Sequence, residues 1–357
     1  TITCMMEIDR TGNVMNYRIF PSVINSNERM TYTNVNKILS GDAKTQKAYP
    51  HLLKMCLDMK VLAGIIRRRR EGLGAIDFDS REAKILVDEK GKPKDIVLRE
   101  RGEAERIIED FMIAANETVA THMKWLETPS MYRIHEAPEP KKMREFARIA
   151  KTLGYTFKGG IQDVHPKQLQ ALLDEARGQD NYFVLSSFML RSMQKARYDN
   201  RCLGHFGLGL KEYLHFTSPI RRYPDLIVHR MLRKYIFTSS EDVDKMKQDE
   251  QWCEQAAIQA SERERNAVDA ERTVDDMKKA EYMENYIGQR FAGVISGITK
   301  FGMFVELDNT VEGLVHISSM EDDYYHYDEV SHSLIGEHTA NVYRMGQKVQ
   351  VRCIDAN

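Results

Sequence analysis

The chain has 357 residues, so at roughly 150 residues per domain two or three domains are expected. Hydrophobic residues make up 42% and charged residues 29%, a globular mix that excludes a disordered or collagen-like chain. Fifty-two Lys and Arg against 53 Asp and Glu leave a formal net charge of −1, which taken alone advertises no polyanionic partner.

Residues 3–8 and 14–20 alternate as two strands around the turn Asp9-Arg10-Thr11-Gly12-Asn13. From 52 to 70 the apolar positions Leu52, Leu53, Cys56, Met59, Leu62, Ala63 and Ile66 keep the period of a half-buried helix. It ends in Arg67-Arg68-Arg69-Arg70 and Glu71-Gly72-Leu73-Gly74. That run reads as an ordinary helix stop or, alternatively, as an RNA-contacting basic patch. A strand pair is expected at 75–78 and 83–88, with further strand at 95–99. Helices follow at 103–126, 139–153, 166–177 and 181–197.

Residues 197–237 depart from the global charge balance. Eight Lys and Arg against three Asp and Glu make this segment +5. Within it, Thr217-Ser218-Pro219 reads as an N-cap with proline at the first helical position, and Arg221 and Arg222 follow directly. A helix N-terminus beside two guanidinium forks suits a phosphate, while pairing with acids such as Asp225 or Glu271 is the plainer alternative. His205, His215 and His229 have spacings that match no common zinc pattern. Gly207-Leu208-Gly209 lacks the third glycine of a dinucleotide loop.

Residues 248–285 form one long charged helix with a thin stripe at Ala256, Ala260, Ala267, Val274 and Met277, suited to a domain surface or a junction. At 286 the texture changes to short strands at 290–298, 303–307, 313–316 and 349–354, punctuated by glycines, as in a small β-barrel. The strand at 349–354 has no following partner, and the chain reads as cut at both ends. Cys4, Cys56, Cys202, Cys253 and Cys353 form no C-x-x-C pair and read as buried reduced thiols, consistent with the cytoplasm. No apolar run approaches the ~18 residues of a membrane span, so no membrane partner is expected.

The run HFGLGLKEYLHFTSPIRRYPDLIVHR (205–230) resembles the signature of the RNase II/RNase R family of processive 3′-to-5′ exoribonucleases, with the RNase R branch nearer. The likeness extends to EIDRTGNVMNYRIFPSVINSNERMTYTNVNKIL, GAIDFDSREAKILVD, ERIIEDFMIAAN and SERERNAVDAERTVDD, covering most of 1–285. GVISGITKFGMFVELDN and VEGLVHISSM resemble an S1 RNA-binding domain. The expected fold is therefore α+β. A mostly helical C-terminal part of an RNB catalytic domain (1–285) precedes an S1 OB barrel (286–357) that lacks its last strand. The final segment from 286 onward holds ten acids and five bases, −5. Near-neutrality of the whole chain is thus an average over unlike parts.

The resemblance implies hydrolysis of single-stranded RNA to 5′-nucleoside monophosphates by a monomer, with Mg²⁺ held by four aspartates. The family places those aspartates upstream of the segment matched here. Asp77-Phe78-Asp79 and Asp275-Asp276 are the nearest approximations and have the wrong spacing, so no metal ligand is assigned in this chain, which is expected to be inactive by itself.

Arg221 matches the family arginine at the scissile phosphate, supported by Arg222. Glu271 matches a carboxylate near the leaving nucleotide, and Tyr32 an aromatic packed at the 3′ end. Phe78 matches a phenylalanine clamping the stacked bases, and Glu109 an acid near the terminal ribose. Phe291, Phe301, Phe304 and His316 fall where S1 domains offer a stacking face. Each has a plainer rival: core aromatics for Tyr32, Phe78, Phe301 and Phe304, solvated carboxylates for Glu109 and Glu271. A non-catalytic RNA-binding module is the alternative function, and a scaffold built on the long helix has little beyond that helix to recommend it.

Overall fold

A computed structural model describes residues 1–78, 82–99, 101–179, 181–238, 242–329 and 331–356; Asp79 lies outside them. The chain opens with an antiparallel hairpin, β1 (Ile2–Ile8) and β2 (Val14–Pro21), in which Cys4 faces Ile19. Asp9 closes its turn by accepting from the backbone N–H of Thr11 and Asn13. Helices α1 (Tyr32–Leu39), α2 (Ala43–Ala48) and α3 (Pro50–Leu73) follow. Helix α3 runs through Gly72 and stops at Gly74, whose φ is +99°. A Cβ there would meet the backbone N of Lys167 at 2.6 Å, so only glycine lets the end of α3 approach the next layer this closely.

Ala75 to Phe78 is not a strand. Its backbone is taken up elsewhere, Ile76 N–H by the Gly207 carbonyl and Asp77 N–H by Gln170 Oε1, each at 2.8 Å. The hairpin is instead β3 (Ala83–Val87) with β4 (Pro93–Leu98). Beyond it come α4 (Glu103–Trp125), β5 (Tyr132–Ile134), α5 (Pro140–Thr152), α6 (Pro166–Ala176), α7 (Tyr182–Ser192) and β6 (Arg197–Asp199), with β5 and β6 paired. Helix α8 (Tyr223–Met231) continues into a π-helical turn, Leu232–Phe237. Helix α9 (Val243–Met283) is 41 residues long.

The first core lies where α4, α8 and the early part of α9 meet, around Met123, Ile227, Val228, Cys253 and Ala257, with the β1–β2 hairpin against it. A second core joins α5, α6 and α7. The expected apolar stripe on α9 packs only at its start: Ala256 is buried, but Ala267, Val274 and Met277 are exposed. Only Cys56 and Cys253 are buried; Cys4, Cys202 and Cys353 reach the surface in part, and all five are free thiols.

The last part of the chain is a four-stranded sheet in the order β13-β7-β8-β9, from β7 (Arg290–Thr299), β8 (Gly302–Leu307), β9 (Glu312–His316) and β13 (Lys348–Arg352). The terminal strand does have a partner, since β13 pairs antiparallel with β7. Between them β10 (Tyr325–Asp328), β11 (Ser333–Gly336) and β12 (Val342–Arg344) form a second small sheet. Asp323 anchors it by accepting from the Thr339 hydroxyl and from the backbone N–H groups of Thr339, His338 and Tyr324, and these bonds, the hydroxyl's foremost, hold its carboxyl well below the usual range.

Candidate nucleic-acid interface

The segment 204–222 is built onto the β5–β6 pair. Leu214 bridges to Tyr132, His205 bridges to His135, and Arg133 N–H donates to the Tyr213 carbonyl at 3.0 Å. Asn116, buried on α4, holds the next turn from two sides: its Nδ2 donates to Tyr213 OH at 3.1 Å and its Oδ1 accepts from Phe216 N–H at 2.9 Å. His229 on α8 donates from Nε2 to the Phe216 carbonyl at 2.8 Å. The segment is thus pinned by groups that sequence periodicity alone does not single out.

Thr217-Ser218-Pro219 does not start the helix. Helix α8 begins at Tyr223 with Arg222 at its N-cap and Pro224 in its first turn. Residues 218–221 instead form a turn closed by Arg221 N–H and Arg222 N–H on the Ser218 carbonyl, at 3.3 and 3.0 Å. The reason is Asp225, fully buried, whose Oδ1 takes Ser218 N–H at 2.7 Å and so draws that residue back over the helix end. The same oxygen accepts from Arg222 Nη2 at 2.9 Å. The plainer alternative therefore describes Arg222, while Arg221 is exposed and makes no ion pair with any described residue. Ile220, beside it, is fully exposed. The turn presents one free guanidinium on a protruding tip.

The histidines are structural. His205 accepts Leu208 N–H on Nδ1 at 3.2 Å, and His215 Nδ1 lies 3.0 Å from Tyr198 OH. Burial pushes the His205 imidazolium down to about 3, with His135 adding to it. Burial, then Arg222 and Arg133, push His215 down to about 2. Both rings are neutral when folded but take a proton below ~6.5 when unfolded. Their contribution is therefore fully present above ~6.5 and lost as pH falls toward 3. The loss is at most ~1.4 kcal/mol per pH unit for each ring. Urea unfolding between pH 7.5 and 5 should show this slope, and His215→Gln should flatten it; an unchanged slope would remove His215 from the account.

The remaining expected site residues are spread widely. Tyr32, the first residue of α1, is about half exposed. Phe78 packs against the second core with Ile76 and Phe206, as a core aromatic would. Glu109 pairs with Arg101. Glu271 lies exposed on α9, and no hydrogen bond or ion pair joins it to Arg221. Phe291 turns into the junction cluster with Tyr286, Tyr282 and Met283 rather than outward, its ring edge-on to Tyr286 at 6.1 Å.

The outer face of β8 and β9 carries Phe304 and His316, while Phe301 lies in the turn just before β8. Met303 and Val305 point into the barrel, so Phe304 faces the other way, opposite Leu314, which is 47% exposed. His316 is exposed on that same face, its Nδ1 2.7 Å from Ser318 Oγ. Phe301 is 57% exposed, with the Lys300 ammonium 5.1 Å from its ring centre. Arg191 of α7 reaches this sheet, Nη2 lying 3.5 Å from the Ser296 carbonyl.

The arginine run on α3 is consumed internally. Arg67 and Arg70 both pair with Asp110 of α4, at 2.7 and 3.1 Å, and Arg69 grips Glu117 with two nitrogens at 3.0 Å each. Arg68 alone of the four is exposed. Arg133, not foreseen, lies over the Tyr198 ring at 4.6 Å and donates to Glu264 of α9 at 2.6 Å. Among the described residues no cluster of three or more His, Cys, Asp or Glu could hold a metal ion, so the donors present do not fit a Mg²⁺ cage. No helix among them is long and apolar enough to cross a membrane.

Residues 1–238 match the RNB domain family and residues 285–356 the S1 RNA binding domain. Ribonuclease R 1 of Lactococcus lactis is 45% identical over 357 residues, covering all of this chain and 44% of the relative. Ribonuclease R of Aquifex aeolicus is 42% identical over 353 residues, covering 99% of this chain and 50% of the relative. The structure of Mycoplasma genitalium RNase R in complex with ribose methylated single-stranded RNA superposes with a TM-score of 0.92. Its identity is 30%, over 99% of this chain and 55% of that one. The chain spans about half the length of the curated relatives it matches. On these matches and on the α+β architecture that carries them, the chain belongs to the RNB family, with an S1 domain following.

Proposed function

We propose that this chain is the RNA-gripping part of a 3′-to-5′ exoribonuclease that hydrolyses single-stranded RNA to 5′-nucleoside monophosphates. The observation that carries the reading is the tip at 219–221: a guanidinium left free of acids, on a turn pinned by buried groups, in a segment of net charge +5. Arg221 holds the scissile phosphate and stabilises charge developing on its oxygens. Tyr32 packs against the terminal base, and Glu271 positions the leaving nucleotide. Phe301, Phe304 and His316 give incoming bases a stacking face, which suits RNA of any sequence because every base has a π-face. Preference for RNA would rest on 2′-hydroxyl contacts. Phe78, Glu109 and Phe291 are weaker candidates, being already packed or paired. Family hydrolysis depends on Mg²⁺; the described carboxylates do not assemble its cage, and no step through it is assigned to these residues.

That same lack favours a second reading for the isolated chain, an RNA-binding module that grips without cutting. Labelled oligo(A) with Mg²⁺ separates the two. The 357-residue chain should bind, more weakly as salt rises, and release little or no mononucleotide. Release of mononucleotides by the pure chain would overturn the missing cage. A full-length protein that also releases none would leave the module reading in place of the enzyme.

A further inference from the structure

Asp225 is fully buried, yet only one of its oxygens is used. Oδ1 accepts Ser218 N–H at 2.7 Å and Arg222 Nη2 at 2.9 Å, while Oδ2 has no hydrogen-bond partner among the described residues. Arg222 Nε is likewise buried and unpartnered. A buried ion pair engaged through a single oxygen is a poor source of stability, because desolvation of both charges offsets most of their attraction. A pair of apolar residues would serve a folded core as well or better.

What the pair does accomplish is geometric. The stretch before it is fixed by Asn116 and His229 through Phe216, and the helix after it starts at Tyr223. Between these anchors, two hydrogen bonds to Asp225 set the path of 218–222. Arg222 folds inward to the carboxylate, and Pro219-Ile220-Arg221 is left projecting.

We infer that Asp225, acting with Arg222, is a positioning residue that aims the Arg221 guanidinium at the phosphate, and that Arg222 itself does not contact RNA. This rests on the proposed exoribonuclease reading. It differs from a supporting role for Arg222 at the phosphate, in which both arginines would touch the substrate. A misaimed guanidinium loses transition-state contact more than ground-state affinity, because electrostatic stabilisation of developing charge falls off with small displacements.

The test is a double-mutant cycle on the full-length enzyme with single-stranded RNA. Asp225→Asn keeps an acceptor for Ser218 N–H and removes the charge facing Arg222. It should lower kcat about 10-fold with KM within about threefold of the parent. On an Arg221→Ala background it should lower kcat no further, since there is no guanidinium left to aim. Arg222→Gln, which removes the other half of the pair, should behave the same way and carries the test if Asp225→Asn does not fold. Parental kcat in Asp225→Asn, or an equal loss with and without Arg221, overturns the inference, and an additive loss from Arg222→Gln does so too. Failure of the underlying reading looks different: Arg221→Ala alone would then turn over at the parental rate.

Discussion

If the chain belongs to the proposed exoribonuclease, Arg221→Ala in the full-length protein is expected to lower turnover roughly 10²-fold or more, with a modest loss of RNA affinity. The size follows from what the side chain can do where it stands. Its neighbour is neutralised by Asp225, while Arg221 is exposed and unpaired. An unpaired guanidinium needs no rearrangement to meet an anion, so its interaction grows with the charge that develops on the phosphate as the bond breaks. On the proposed reading, binding is less affected because it is spread over many phosphate and base contacts, of which Arg221 would be one. Steady-state kinetics on oligo(A) separate kcat from KM. Turnover unchanged in Arg221→Ala would take the residue out of the catalytic set, and with it the main support for the proposed mechanism.

The largest stability effect is expected away from the RNA, at the α3–α4 contact. Asp110→Ala should destabilise the chain by about 3–5 kcal/mol in urea or thermal unfolding. The side chain is buried, and burial pushes its carboxyl up even though Arg67 and Arg70 oppose that shift. Removing the acid leaves two guanidinium groups facing each other, with side chains only 22% and 14% exposed and no counter-charge between them. Glu103 is a weak substitute for Arg67, at 3.4 Å. Arg68→Ala, on the exposed side of the same turn, is the control and should fall within ~0.5 kcal/mol of the parent. A loss below ~1 kcal/mol for Asp110→Ala would mean that the arginines find water as easily as they found the carboxylate.

These two positions mark how far the sequence could be read. Long helices with a regular apolar period, the opening hairpin and the change of texture near 286 follow from local patterning, which is what periodicity reports. The signature around Arg221 stands out because twenty-six consecutive positions carry it. Partners distant in sequence are another matter. Nothing in Arg67-Arg68-Arg69-Arg70 points to Asp110 and Glu117 more than forty residues on, so the run could be taken for a basic patch. Thr217-Ser218-Pro219 has the composition of a helix start, and only the pull of Asp225 on Ser218 N–H turns it into a turn. Phe291 alternates as a surface aromatic should, but the hairpin β3–β4 and the end of α9 arrive to cover it. The small sheet β10–β12, tied back by Asp323, is built from strands of only three or four residues, too short for their alternation to announce itself.

One feature of α9 bears on how the two domains move. The helix is anchored at its start through Cys253, Ala256 and Ala257, and near its end through Lys278, Lys279 and Met283. From 265 to 277 every residue is exposed, and the span contains neither glycine nor proline. It is a free strut of about 20 Å, kept straight by helix propensity and its own hydrogen-bonded ladder. The S1 sheet has a second mounting at α7, where Arg191 meets the Ser296 carbonyl. His332 also lies 3.8 Å from Glu145 of α5, and the β3–β4 hairpin packs on Phe291 and Val311, so the domain is held at several points and cannot swing about any one alone. Any tilt of the outer face that bears Phe304 and His316 must flex the strut, slip the contacts with α5 and α7, or both, and is therefore coupled to the helix that carries Glu271.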